Sequence, residues 1–100
     1  MEKLNLILPI GSVVKIRKVS RPVMIFGYFQ TSDLRPGEIA DYVAVPYPIG
    51  NRDISQQMGF PMTAIEEVLF EGYRTEEFKP IENLLKVRLA IYAAKAEDGD

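Results

Sequence analysis

The chain of 100 residues contains no cysteine and no histidine. Without cysteine there is no disulfide framework and no thiol nucleophile. Without histidine the usual general base is missing, and the common soft metal ligands go with both. The serines at Ser12, Ser20, Ser32 and Ser55 therefore have no histidine to activate them. No window approaches the ~20 consecutive apolar residues of a membrane-spanning helix. The isolated glycines Gly11, Gly27 and Gly37 are not followed by the Lys-Ser/Thr of a phosphate-binding loop. The carboxylates Glu66, Glu67, Glu71, Glu76, Glu77 and Glu82 show neither the alternation of a calcium loop nor the features of a paired acid/base site. They read as a solvated rim with one capping glutamate. No catalytic residue, cofactor site or metal site is expected.

What is present is an ordinary globular balance, 47% hydrophobic and 26% charged, with a net charge of −2. That charge offers no general attraction for nucleic acid or anionic lipid. The basic run Lys15, Arg17, Lys18, Arg21 precedes the aromatics Phe26, Tyr28 and Phe29, the ingredients of a nucleic-acid platform. The acidic total favours the plainer reading, a solvated strand face over a filled core. The opening Met1-Glu2-Lys3-Leu4-Asn5-Leu6-Ile7-Leu8-Pro9 has an apolar run too broken for a secretory signal. The expected compartment is the cytoplasm.

Turn residues divide the first seventy positions. Pro9 to Ser12 reads as a turn and Ser12 to Val19 as a strand. Val23 to Gln30 is apolar on both faces, which suits a central strand, and Gly27 within it suggests a bulge. Asp33 to Gly37 is a second turn. Glu38 to Pro46 is a third strand, with Ile39, Val43 and Val45 on one face and Tyr42 and Ala44 on the other. Ile49 to Ser55 is a loop and Gln56 to Phe60 a short fourth strand. Thr63 and Glu66 have capping-box spacing, which places a helical turn there. Val68 to Glu71 is the last strand, closed by Gly72. This pattern predicts a mainly β (α+β) single domain: a small five-stranded barrel of the Src-homology-3 type with a C-terminal α-helix. The barrel spans residues 6–74, the helix 80–95, and a frayed acidic tail 96–100.

The helix opens at Pro80, where a missing N–H costs nothing. Ile81, Leu84, Leu85, Val87, Leu89, Ile91 and Tyr92 cover nearly half its circumference, wider than the ~100° stripe that docks a helix on a core. Either the barrel absorbs all of it, or the surplus meets a second protein or a copy of this chain. Tyr42, Tyr47, Phe60 and Tyr73 offer a lesser candidate, an aromatic peptide groove, against the plainer reading that most of them complete a small core. The candidate partner-contacting residues are Leu84, Leu85, Arg88, Ile91 and Tyr92 on the helix, with Tyr42 and Tyr47 at the barrel edge.

Three segments carry a resemblance: Leu8-Pro9-Ile10-Gly11-Ser12-Val13-Val14, Asp41-Tyr42-Val43-Ala44-Val45-Pro46-Tyr47-Pro48-Ile49-Gly50, and Ile65-Glu66-Glu67-Val68-Leu69-Phe70-Glu71-Gly72-Tyr73. In order and spacing they resemble a family of small Gram-positive bacterial proteins with a domain of unknown function. Its members are often encoded near type VII secretion loci, beside toxins bearing the LXG secretion domain. The resemblance covers roughly residues 6–82 and brings no catalytic residues. It implies a cytoplasmic chaperone or targeting adaptor that holds the helical secretion domain of a cognate toxin. The alternatives are an immunity protein that binds the toxin's active domain and, more remotely, a nucleic-acid-binding barrel.

Overall fold

The computed structural model describes residues 4–32 and 35–98. Five strands precede one long helix: β1 (Val13–Ile16), β2 (Val23–Ser32), β3 (Arg35–Pro46), β4 (Met58–Phe60), β5 (Ile65–Phe70) and α1 (Lys79–Asp98). Single 3-10 turns lie at Ile54–Gln56, Met62–Ala64 and Glu76–Phe78. All strand pairs are antiparallel, in the order β4-β3-β2-β1-β5. The five strands and the C-terminal helix are those expected. β4 and β5 do not pair, so the hydrogen-bonded ladder is not closed into a full ring.

One face of the sheet builds the main core. Val14 and Ile16 of β1, Val23 and Ile25 of β2, Tyr42 and Ala44 of β3 and Ile65 of β5 cluster with Leu8, Phe60, Met62, Phe78 and Leu85. Because side chains alternate along a strand, Val13, Val43 and Val45 take the opposite face, where they are also buried. β2 is the central strand, as its two-faced apolarity required. The bulge expected at Gly27 is there: Ile25 pairs with Ala44 and Gly27 with Val43, leaving Phe26 without a partner.

Several boundaries differ from expectation for identifiable reasons. β1 ends at Ile16, because Lys18 adopts a φ of 68° and the Val19 N–H returns to the Ile16 carbonyl in a turn. Of the expected turn at 33–37, residues 33 and 34 lie outside the described residues; from Arg35 the chain is already strand. Met1 to Lys3 and the last two residues of the acidic tail, Gly99 and Asp100, are likewise outside them, while α1 runs on to Asp98. The capping box does not form. The turn Met62–Ala64 follows Pro61 without a side-chain cap of its own, and Glu66 lies exposed in β5. The Met62 N–H is instead accepted by the distant Asp41 carboxylate at 2.8 Å.

The expected turn at Pro9–Ser12 forms, with Gly11 at φ 95°, and it clasps the end of β5. The Ser12 hydroxyl donates to the Pro9 carbonyl at 2.8 Å and accepts the Gly72 N–H at 2.9 Å. A Cβ on Gly72 would stand 2.2 Å from the Ile10 carbonyl oxygen, which is backbone and cannot swing aside. Gly72→Ala is therefore expected to destabilise by about 1–3 kcal/mol through overpacking. A urea melt measures this, and an unchanged midpoint would refute the clasp.

Tyr42 pins the N-terminal segment to β3. Its hydroxyl donates to the Leu6 carbonyl at 2.6 Å and accepts the Leu8 N–H at 2.9 Å. Tyr28 donates to the Leu8 carbonyl at 3.3 Å. Burial pushes the Tyr28 phenol up to about 12 and raises Tyr42 further still. A phenol whose pKa rises on folding stabilises the native state below its unfolded value near 10. That contribution fades as pH climbs through the folded value. Tm should thus fall more steeply between pH 10 and 12 than in a Tyr28→Phe/Tyr42→Phe variant, as a pH series of thermal melts would read.

Candidate docking surface

α1 is a two-sided helix. Good helix formers follow Pro80 at its second position. Leu85 is fully buried among Phe78, Met62 and Phe60, and Ile81, Leu89 and Tyr92 pack partly against the same cluster. These positions fall at i, i+4, i+8 and i+11, one stripe of a 3.6-residue helix. Leu84, Val87 and Ile91, at i, i+3 and i+7, stay 55%, 57% and 50% exposed. The wide apolar arc thus divides: half is absorbed by the domain's own core and half is left uncovered.

A buried polar knot fixes which half is which. Asp41 lies on β3 in the apolar phase of Ile39, Val43 and Val45, and it is fully buried. Its carboxylate accepts from the Arg88 Nε, from the Tyr92 hydroxyl at 2.8 Å and from the Met62 N–H. Arg88 also donates to the Ile39 carbonyl and to the Tyr92 hydroxyl, each at 3.2 Å. Burial works against the Arg88 charge, but its hydrogen bonds to Asp41 and Tyr92 outweigh that and hold its pKa above the ordinary value. Burial and the bond to Asp41 likewise raise the Tyr92 phenol. The knot joins β3, the turn before β5 and α1 at one point.

Of the seven residues singled out from the sequence, Leu85 and Tyr42 are core, at 0% exposure, and no partner can reach them in this fold. Arg88 and Tyr92 are occupied by Asp41. Leu84 and Ile91 are exposed as a docking residue must be. Tyr47 is exposed too, but on another surface. It borders a shallow apolar groove of about 500 Å³ with Val13, Pro22, Met24, Leu69 and Phe70, to which α1 contributes nothing. The aromatic groove of Tyr42, Tyr47, Phe60 and Tyr73 does not form. Tyr42 and Phe60 meet as tilted rings in the core, 5.9 Å between ring centroids, while Tyr73 is 85% exposed. Tyr28 and Phe29 also pack against the core rather than forming an outer platform.

Asp41 is not singled out by the sequence alone. The signal was there, a lone carboxylate in phase with three apolar residues on one strand, but its partners lie 47 and 51 positions away.

The remaining polar clusters are structural. Arg74 donates to the Ile7 carbonyl at 2.7 Å, pairs with Glu71 and Glu82, and lies over the Phe78 ring. No group of three or more metal-capable side chains occurs among the described residues, and no described helix is long and apolar enough to cross a membrane.

The free sheet edges are poorly suited to strand addition. β5 carries two extra residues, Glu66 and Leu69, at its register shifts against β1, and exposes Glu66 and Glu67. β4 is three residues long and is followed at once by Pro61. Bulges, charge, shortness and proline are the ways sheet edges are kept from pairing with other chains.

Fold and surfaces together define a small antiparallel β domain whose C-terminal helix is held by a buried ion pair and keeps an apolar outer stripe. The chain belongs to the family described as Domain of unknown function (DUF4176), which matches residues 7–80. The match includes the clasp, Tyr42 and Asp41, and stops as α1 begins. No curated protein and no solved structure matches the chain significantly.

Proposed function

We propose that this chain is a non-catalytic, protein-binding accessory factor that works in the cytoplasm as a chaperone or targeting adaptor for a type VII-secreted LXG toxin. The observation that carries the reading is the uncovered stripe Leu84, Val87 and Ile91 on a helix whose opposite face is anchored in the core. Exposed contiguous apolar surface on a small domain commonly marks an interaction site. The toxin assignment comes from the resemblance of the three short segments, and a helical secretion domain is a suitable client for a helix face.

The test is co-purification of the full chain with the secretion domain of the neighbouring toxin. Leu84→Glu with Ile91→Glu should abolish capture while Tm stays within a few degrees, since neither side chain is in the core. Capture unaffected by the pair would refute the stripe as the contact. Capture that survives removal of the secretion domain would point to the toxin's active domain, the behaviour of an immunity protein.

A further inference from the structure

We infer that the shallow groove beside Tyr47 is a second docking site, which takes an extended segment of another protein whose apolar side chains are flanked by carboxylates. The site is separate from the α1 stripe and lies wholly inside residues 7–80.

Strand register builds the groove. Phe70, Val13, Met24 and Val45 stand opposite one another in one row across β5, β1, β2 and β3. Directly opposed residues share a face, so the row lies on the outer side with Val13 and Val45. Those two valines are buried, while Tyr47, Leu69 and Phe70 around them are 47%, 45% and 61% exposed. The Tyr47 N–H donates to the Pro22 carbonyl at 2.9 Å, which joins the two lining residues nearest the β1–β2 turn. Four strands span three gaps, about 14 Å, the length of about four extended residues. One row is only ~7 Å wide along the strands, which suits an extended chain better than a helix about 10–12 Å across.

The charges around the groove decide what flanks the segment. Residues 3–32 hold five cations and no carboxylate, and the lining residues Gly11, Val13, Pro22 and Met24 come from this stretch. Lys15 is offset by Glu67, which stands opposite it on β5. Arg17 donates to the Thr63 carbonyl at 3.5 Å. Lys18 and Arg21 are exposed and have no ion pair or hydrogen bond among the described residues, and Arg21 directly precedes Pro22. The other carboxylates near in sequence are engaged. Glu71 pairs with Arg74, and Asp53, beside Arg52, accepts the Ser55 N–H. The uncompensated charge beside the groove is therefore positive, although the chain as a whole carries −2. Rim charges of opposite sign steer and select a partner, and here they call for Asp or Glu.

The test uses two labelled eight-residue peptides, proline-containing and apolar at their four central positions, one with Glu and one with Lys at both ends. Each is titrated with the full chain by fluorescence anisotropy. The Glu peptide should bind about tenfold tighter at low salt, the gap should narrow at high salt, and K18E with R21E should reverse the preference. L69A with F70A, both at exposed positions, should abolish binding of both peptides. L84E with I91E should leave both affinities unchanged, which separates this site from the α1 stripe. Equal affinity for the two peptides, binding of neither, or binding that L69A with F70A leaves intact overturns the proposal. So does a labelled oligothymidylate that binds more tightly than the Glu peptide and is lost in K18E with R21E, since the groove's partner would then be a nucleic acid. A dimer of the chain in sedimentation that L69A with F70A dissolves also overturns it, because a second copy would cover the groove.

Discussion

Replacing Arg88 with alanine is expected to cost about 3–5 kcal/mol of folding stability, the usual penalty for leaving a buried charge without its partner. The asymmetry of the Asp41–Arg88 pair makes this prediction specific. The Asp41 side chain is fully buried, whereas the Arg88 side chain keeps 30% of its surface in solvent. Removing Arg88 strands a carboxylate that retains two neutral donors, the Tyr92 hydroxyl and the Met62 N–H. Removing Asp41 strands a guanidinium that can turn to water, so Asp41→Ala should cost less, about 1–3 kcal/mol, chiefly for the orphaned Met62 N–H. The double variant should then be more stable than Arg88→Ala alone, because it no longer contains the stranded charge. Urea unfolding of the four proteins measures all three differences. If the double variant proves the least stable, the pair stabilises as ordinary packing would, and the knot does not hold the helix electrostatically.

The parts of this architecture that sequence makes legible are those decided within a few residues. The bulge at Gly27, the left-handed turn at Gly11 and the helix opening at Pro80 follow from local backbone chemistry. The central place of β2 follows from its apolarity on both faces. What stays hidden depends on contacts between distant positions. Thr63 and Glu66 have the spacing of a capping box, but the turn there draws its acceptor from Asp41 across the sheet, and Glu66 becomes a bulge residue of an edge strand. Tyr42 is a candidate partner contact at the barrel edge, yet its hydroxyl holds the N-terminal segment and its ring fills the core. The helix shows the limit most clearly. Its apolar arc is plain in the sequence, but which half faces inward is set by where Asp41 receives Arg88 and Tyr92.

The matched family region and the helix are thereby linked. Asp41 lies inside residues 7–80, and two of its three donors, Arg88 and Tyr92, lie beyond them. The acceptor that fixes α1 therefore belongs to the matched domain, while the surface that α1 presents belongs to the segment beyond it. The outer stripe can change from one chain to another without disturbing the anchor, provided the Arg88–Tyr92 spacing of one helical turn is kept.

That division predicts opposite outcomes for two neighbouring leucines. Leu85→Ala removes a fully buried side chain from the cluster of Phe60, Met62 and Phe78, and should cost about 2–5 kcal/mol, the range for a leucine truncated in a packed core. For a domain of this length that is a fall in Tm of at least about 8 °C. Leu84→Ala, one residue earlier and 55% exposed, should stay within about 0.5 kcal/mol of the parent while weakening partner capture. Thermal melts paired with a capture assay separate the two effects. Loss of stability without loss of capture at Leu85, and loss of capture without loss of stability at Leu84, is the pattern expected of a helix with one face anchored and the other offered. Equal destabilisation at both positions would mean that the stripe is already covered by this chain's own residues, and the docking surface would then have to be sought at the Tyr47–Phe70 groove.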